Sequence, residues 1–198
     1  MNVAQVYTLT EKPRLPPGQR WVTGFPVRTV ERMPEPFDPE IWTLIVDGAI
    51  ENPLVFSYED LQNLPHTKQT SDFHCVEGWS VKDNQWEGVL FWEIANQVKP
   101  KSLAKFVLFH AEHEYTSAIA LDVVMEEDVL LAWNRNGEPM QVKDGWPLRL
   151  IIPRLYAYKS VKWVRRITFL EELKLGYWEK RGYHQDADPW QSQRFAKR

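Results

Sequence analysis

Proline placement constrains the fold of this chain more than any other feature of the sequence. Seven of its 14 prolines fall within residues 1–40, namely Pro13, Pro16, Pro17, Pro26, Pro34, Pro36 and Pro39. Because proline lacks a backbone N–H and fixes φ, so dense a run forms neither a helix nor a central strand. The same stretch contains the apolar side chains of Trp21, Phe25 and Phe37, which favour contact with a core. We therefore expect residues 1–40 to form an extended arm packed on a single domain that spans residues 1–198.

Length and charge narrow the class of protein. The 198 residues suit one domain with a sizeable core. A net charge of -3 argues against a nucleic-acid partner, and no apolar run is long enough for membrane insertion. A single cysteine excludes an intrachain disulfide and fits a reducing compartment. Because residues 1–10 lack the pattern of an export signal, we expect a cytoplasmic protein.

Apolar periodicity and turn residues predict short elements in no regular order. Ser57 is expected to cap a short helix with Asp60 at the third position after it. Other helices are predicted at residues 89–98 and 121–126, and after Gly176. Strands are predicted at residues 42–46, 54–56, 67–76, 106–109, 115–119, 148–152 and 167–170, with a strand or helix end at 129–133. Strands and helices that mix without a βαβ rhythm indicate an α+β fold, with mixed sheets and short surrounding helices.

The one cysteine, Cys75, lies in the sequence Ser71-Asp72-Phe73-His74-Cys75-Val76-Glu77-Gly78-Trp79-Ser80. The run 67–76 is expected to lead into a loop around Cys75, and the helix at 89–98 follows that loop. Such a cysteine is either a buried small hydrophobe or a functional thiolate. His74 is adjacent, but neighbours along a strand point to opposite faces, so the two side chains need not touch.

A basic segment lies further along the chain. Residues 145–170 contain no Asp or Glu but six cations: Arg149, Arg154, Lys159, Lys162, Arg165 and Arg166. Because the segment is also apolar, cations within it need anionic partners. An anionic ligand such as a phosphate is one interpretation. A solvated basic face and pairing with remote carboxylates are the others. The five histidines show no zinc-motif spacing, and phosphate-loop, Rossmann and nucleophile-elbow patterns are missing from the sequence.

The Cys75 loop, with Trp86-Glu87-Gly88-Val89 after it, resembles the cysteine loop of the sulfite oxidase family. The likeness is to small stand-alone members related to the methionine sulfoxide reductase catalytic subunit. The stretch Pro147 to Trp163 is similar to the segment of that family that grips the pterin phosphate. Residues 42–61 resemble its opening strand, turn and helix, and the stretch from Gly176 to Trp190 fits the small members. The resemblance implies a sulfite-oxidase-type molybdopterin-binding fold.

The same resemblance implies roles for named residues. Cys75 would ligate the molybdenum of a Mo-molybdopterin cofactor and count among the catalytic residues. Contacts to the pterin or its phosphate are implied for Phe25, His74, His110, Asp144, Arg149, Ser160, Val161 and Lys162. The substrate side is expected to involve Arg154, Tyr156, Tyr158 and His184.

The chemistry implied is two-electron oxygen-atom transfer on a small oxyanion, a sulfoxide or an N-oxide. Because the chain shows no haem or immunoglobulin-like domain, we expect a separate electron-transfer protein as partner. The alternative hypothesis is a cofactor-free member of the same fold that binds another anion or a protein.

Overall fold

Two β-sheets enclose the main hydrophobic core in the computed structural model, which describes residues 12–196. Three α-helices flank them, namely α1 (Tyr58–Asn63), α2 (Phe91–Val98) and α3 (Leu121–Val124). The strands are β1 (Arg20–Trp21), β2 (Thr43–Gly48), β3 (Leu54–Ser57), β4 (His66–His74), β5 (Trp79–Leu90), β6 (Phe106–His110), β7 (Thr116–Ala120), β8 (Leu130–Arg135), β9 (Glu138–Pro139), β10 (Arg149–Ile151) and β11 (Arg166–Leu170). Short 3₁₀ turns span Val142–Asp144, Ala157–Lys159 and Glu179–Arg181.

The strand order is mixed in both sheets, which confirms the predicted α+β class. The five-stranded sheet has the order β3-β2-β11-β6-β7, with β11 parallel to β2 and antiparallel to β6. The six-stranded sheet follows β1-β5-β8-β10, with β4 on the other side of β5 and β9 beside β8. Strands adjacent in space are far apart in sequence, so the fold depends on long-range pairing.

Local sequence signals account for the first two helices. The Ser57 hydroxyl accepts a hydrogen bond from the Asp60 N–H, and the Asp60 carboxylate accepts one from the Ser57 N–H, which is the predicted capping box. Helix α2 buries Phe91, Ile94, Ala95 and Val98, spaced by three and four residues, against the core. It ends at Lys99, which has φ of 54° and precedes a proline.

Strand β5 is the main difference from the predicted elements. The sequence interpretation placed residues 77–88 in a loop, but Trp79–Leu90 is a 12-residue strand paired with β4 along its length. Gly88 is needed there, because a Cβ atom would overlap the Leu131 carbonyl oxygen of β8. The alternation of apolar and polar residues that marks an ordinary strand is obscured in β5. The reason is that this strand packs against different neighbours along its length.

Residues 12–42 form a mostly irregular segment that packs against the domain. Strand β1 pairs in parallel with the start of β5, where Arg20 lies opposite Trp79. Further on, Phe37 packs edge-on against Tyr58 and Trp146. Residues 1–11, the start of the predicted arm, lie outside the described residues. Between residues 12 and 196, the chain contains no helix with the length and apolarity needed to cross a bilayer.

Candidate cofactor site

One cavity of about 360 Å³ is lined by most of the site residues predicted from the sequence. This volume lies within the roughly 300–1,000 Å³ typical of small-molecule sites. Its walls come from five parts of the chain: residues 25–31, the segment from Phe73 to Trp79, Ala111 with Tyr115, the segment from Asp144 to Trp163, and the aromatic pair Trp178 and Tyr183.

The turn that follows β4 holds Cys75 in the cavity wall. The Cys75 N–H donates to the Trp79 carbonyl at 2.8 Å, and the Gly78 N–H donates back to the Cys75 carbonyl at 3.0 Å. Gly78 has φ of 90°, a conformation that glycine adopts without strain. The Gln19 side chain donates a third hydrogen bond to the Cys75 carbonyl at 3.1 Å. The backbone of Cys75 is therefore fixed from two sides.

The Cys75 side chain is buried, with 7% of its surface exposed. Burial raises the pKa of the thiol to about 11, and a hydrogen bond from the Glu77 backbone and the charges of Arg28 and Arg194 offset only part of this. In the protein alone the group is thus a neutral thiol at pH 7. Among residues 12–196, no three His, Cys, Asp or Glu side chains cluster so as to hold a metal ion.

Four of the six cations in the basic segment pair with remote carboxylates. Arg154 contacts Glu126 and Asp128, Lys159 contacts Glu179, Arg165 contacts Glu112, and Arg166 contacts Asp47. For these four, the structure supports the third interpretation of the segment, pairing with remote carboxylates. Their partners lie 20 to 119 residues away in sequence, so no local pattern indicated them.

Arg149 and Lys162 are the two cations of the segment without a carboxylate within 4.0 Å among the described residues, and both line the cavity. Arg149 is 3% exposed; one guanidinium nitrogen donates to the Asp144 carbonyl, and its Nε has no partner between residues 12 and 196. Burial lowers the pKa of Arg149 to about 10. The Lys162 ammonium donates to the Lys143 carbonyl at 2.7 Å, and burial, then the nearby Arg149 charge, lowers its pKa to about 7. Two desolvated cations side by side favour an anion in this part of the cavity.

Other predicted cofactor contacts are divided between the cavity and its surroundings. Phe25, Asp144 and Ser160 line the cavity, and one carboxylate oxygen of Asp144 is buried without a partner in the described part of the chain. Val161 is buried but does not line the cavity, and its N–H donates to the Lys159 carbonyl at 3.1 Å. The Ser160 N–H is also engaged, by the Ala157 carbonyl at 3.0 Å.

Neither histidine expected at the pterin lines the cavity. The His74 ring bonds to the Ser80 hydroxyl at 2.8 Å and packs against Trp190. Burial lowers the pKa of His74 to about 4. His110 interacts with the Thr168 hydroxyl at 3.2 Å, on the five-stranded sheet.

Of the four residues expected on the substrate side, only Tyr158 lines the cavity. Its hydroxyl donates to the backbone carbonyl of His184 at 2.6 Å, and His184 itself does not line the cavity. Tyr156 is fully buried, and its hydroxyl has no partner among the described residues. Arg154 also lies outside, because Glu126 and Asp128 hold its guanidinium.

Several cavity residues were not identified from the sequence. They include the run 26–31, Tyr115, Trp163, Trp178 and Tyr183. The aromatic density of residues 177–190 is the one sequence signal that pointed to the last two. Trp178 and Tyr183 pack together at 4.7 Å, and Tyr158 joins them at 5.3 Å from Tyr183.

The cavity therefore combines a buried thiol, two unpaired cations with a serine beside them, and an aromatic wall. The Arg149 Nε without a partner among the described residues, next to the buried Lys162 ammonium, favours an anionic group in this part of the cavity. A cofactor with a phosphate and a thiol-seeking metal fits this donor set.

Comparisons with known proteins agree with this geometry. Residues 30–178 match the family described as "Oxidoreductase molybdopterin binding domain". The chain is 43% identical over 183 residues to "Uncharacterized oxidoreductase YuiH" of Bacillus subtilis (strain 168), covering 92% of each. It is 28% identical to the "Protein-methionine-sulfoxide reductase catalytic subunit MsrP" of Campylobacter jejuni, covering 77% of this chain and 59% of that protein.

Among solved structures, the sulfane dehydrogenase SoxCD from Paracoccus pantotrophus superimposes with a TM-score of 0.64. The match covers 70% of this chain and 40% of that one at 24% sequence identity, and so it shows a shared fold.

Proposed function

The chain belongs to the oxidoreductase molybdopterin-binding domain family, and on that premise we propose that it reduces uncharged S-oxides or N-oxides by two-electron oxygen-atom transfer. Its cofactor is Mo-molybdopterin. The observation on which the proposal rests is that Cys75 and the two unpaired cations, Arg149 and Lys162, line one cavity.

Arg149, Lys162 and the Ser160 hydroxyl are the proposed ligands of the pterin phosphate. Two cations and a hydroxyl match the charge and the acceptor oxygens of such a group. Phe25 would contact the pterin as an apolar wall, and the unpartnered Asp144 oxygen would accept a hydrogen bond from a ring N–H. The Ser160 and Val161 backbone amides are already hydrogen-bonded within the protein, so they are not part of this proposal.

Cys75 is the proposed protein ligand of the metal. A soft thiolate suits such an ion, and coordination displaces the thiol proton that burial otherwise retains. The bound metal supplies the two-electron redox chemistry. The chain fixes the sulfur through the turn hydrogen bonds of Cys75 and excludes water with the apolar side chains around it.

Charge in the cavity supports an uncharged substrate. Its lining contains three cations, Arg28, Arg149 and Lys162. Glu77 also lines the cavity and balances the charge of Arg28, and the other two cations are assigned to the phosphate, so no net positive charge is left for an oxyanion such as sulfite. The wall of Tyr158, Trp178 and Tyr183 instead favours an apolar group beside the reacting oxygen.

The balanced reaction for a sulfoxide is R₂S=O + 2e⁻ + 2H⁺ → R₂S + H₂O. One S–O bond breaks, the sulfur is reduced, and the oxygen leaves as water. A separate electron-transfer protein is the proposed electron donor.

Metal analysis tests the proposal directly. Protein made in a host that synthesises molybdopterin should contain about one molybdenum per chain, and Cys75→Ser should lose the metal-dependent visible absorption while it keeps its far-ultraviolet circular dichroism. An unchanged spectrum in Cys75→Ser would refute the ligand role. Wild-type protein free of molybdenum would favour the alternative, a cofactor-free binding module.

A further inference from the structure

We propose that residues 23–40, here called the strap, form a gate over the cofactor cavity, which opens to admit molybdopterin and closes behind it through a latch between Arg28 and Glu77. The inference rests on the proposed function, because it assumes that this cavity is where the cofactor binds.

The strap supplies a continuous wall of the cavity. Seven consecutive residues, from Phe25 to Glu31, line it together with Cys75 and Arg149. No other part of the described chain lines the cavity with so long an unbroken run. Displacing this one segment therefore opens the cavity along the side that it covers, without disturbing either sheet.

The backbone of the strap is unattached over most of its length. Before it, the Val22 N–H donates to the Ser80 carbonyl at 3.0 Å, and after it, strand β2 begins at Thr43. Between these points, the backbone–backbone hydrogen bonds of the described chain are local ones, from Ile41 and Trp42 to Asp38. A segment without backbone bonds to its surroundings can open at low free-energy cost while the core remains folded.

Side chains at two ends anchor the strap. Near its start, the Phe25 ring packs 5.2 Å from Phe73 and lies under the Arg135 guanidinium at 3.9 Å. Near its end, Phe37 joins an aromatic cluster with Tyr58 and Trp146. These apolar contacts fix the ends, so motion is confined to the part between them.

Two polar contacts close the middle of the strap. The Arg28 Nε donates to both Glu77 carboxylate oxygens, at 2.9 and 2.8 Å, and the Glu31 carboxylate accepts from the Tyr115 N–H. The Arg28 and Glu77 side chains are 62% and 45% exposed, and such pairs contribute little. The latch is therefore easily broken. Glu77 also accepts from the Trp79 indole at 3.1 Å, so the latch attaches to the turn that holds Cys75.

The test compares Arg28→Ala with Arg32→Ala. Arg32 is an exposed cation of the same strap, and it forms no ion pair with any residue between 12 and 196, so the second variant is matched in charge and position. Cofactor-free protein is mixed with molybdopterin released from a donor molybdoenzyme, and uptake is followed by pterin fluorescence. Release from loaded protein is followed in the same way.

A gate latch stabilises the closed state whether or not the cofactor is inside. Arg28→Ala should therefore speed uptake and release alike, by about threefold, and leave the equilibrium affinity unchanged. Arg32→Ala should change neither rate. The bound cofactor adds contacts that hold the strap closed, so trypsin should cleave after Arg28 and Arg32 more slowly in loaded than in cofactor-free protein.

Each other outcome has a defined meaning. If Arg28→Ala speeds release only, Arg28 binds the cofactor directly and the gate is refuted. Uptake and release rates that Arg28→Ala leaves at the wild-type values, or tryptic cleavage that loading does not slow, also refute it. If wild-type protein takes up no molybdopterin, the proposed function itself fails.

Discussion

The guanidinium of Arg149 lies 4.8 Å from the centre of the Phe73 ring, and Phe73 precedes Cys75 by two residues. The cation proposed for the phosphate and the thiol proposed for the metal are therefore connected through one aromatic side chain. The strap residue Phe25 packs against the same ring at 5.2 Å. A substitution at any of these positions should therefore alter the packing of the others.

Arg149→Met should make the cofactor-free protein more stable and the loaded protein scarce. Arg149 is buried with no carboxylate partner among the described residues. An apolar side chain of similar length removes the cost of desolvating this charge, which should raise the free energy of unfolding by about 1 kcal/mol. The same change removes a phosphate ligand. Urea unfolding of cofactor-free protein and pterin content after purification measure the two effects. Arg154→Met, in the same segment but outside the cavity, should leave pterin content unchanged. Loss of stability with full pterin content would contradict the assignment.

Anion binding to the cofactor-free protein should weaken as the pH rises through 7. Burial lowers the pKa of Lys162 to about 7, so the ammonium that attracts an anion is present below that pH and lost above it. Sulfate serves as the probe, because its own charge is constant over this range. Calorimetric titration should show affinity falling several-fold between pH 6 and 8.5, and Lys162→Met should abolish the dependence. A flat profile in the wild type would contradict the prediction.

The same pKa shift has a second, opposite consequence for folding. Between pH 7 and 10 the unfolded chain binds the Lys162 proton and the folded protein does not. The Lys162 contribution to the free energy of unfolding therefore rises with pH in this window. The free energy of unfolding is measured against pH for the wild type and for Lys162→Met, and the difference between the two curves gives the Lys162 contribution. A difference that falls as the pH rises would contradict the prediction.

Breaking the buried ion pair of Lys159 and Glu179 should cost about 3 kcal/mol of unfolding free energy. The side chains are 0% and 1% exposed, so Lys159→Met leaves a carboxylate without its partner in the interior. The double variant Lys159→Met/Glu179→Gln should recover most of the loss, because no lone charge remains. Denaturant unfolding of the three proteins checks this, and a double variant as unstable as the single one would refute the charge explanation.

Trp178→Ala should alter substrate preference more than turnover. Trp178 lines the cavity beside Tyr183, so its loss removes apolar contact to a substrate side group. For an aryl sulfoxide we expect KM to rise about tenfold, and for dimethyl sulfoxide, which lacks such a group, by much less. Assays with a reduced viologen dye as electron donor measure both. Trp190→Ala, outside the cavity, is the control, and equal effects on both substrates would contradict the role of Trp178.

The sequence was most informative where the physical signal is local. The Ser57 cap, the spacing of buried residues in α2 and the β-branched run of β2 each act within a few residues, so they were predictable. The family was also evident from residues 71–80 and 147–163, since each is a contiguous motif. Strand β5 was missed because its pattern depends on three different partner strands.

The sequence by itself determined that one thiol and an acid-free basic segment belong to the same domain. Tertiary structure alone decided which cations are free, since Arg166 meets Asp47 from 119 residues away and Arg154 meets Asp128. Only the tertiary structure shows that the His74 ring bonds to the Ser80 hydroxyl and that the strap lines the cavity. The physical reason is that ion pairs and cavity walls form between segments distant in the chain. A basic residue therefore has the same local sequence context whether or not the fold gives it a partner.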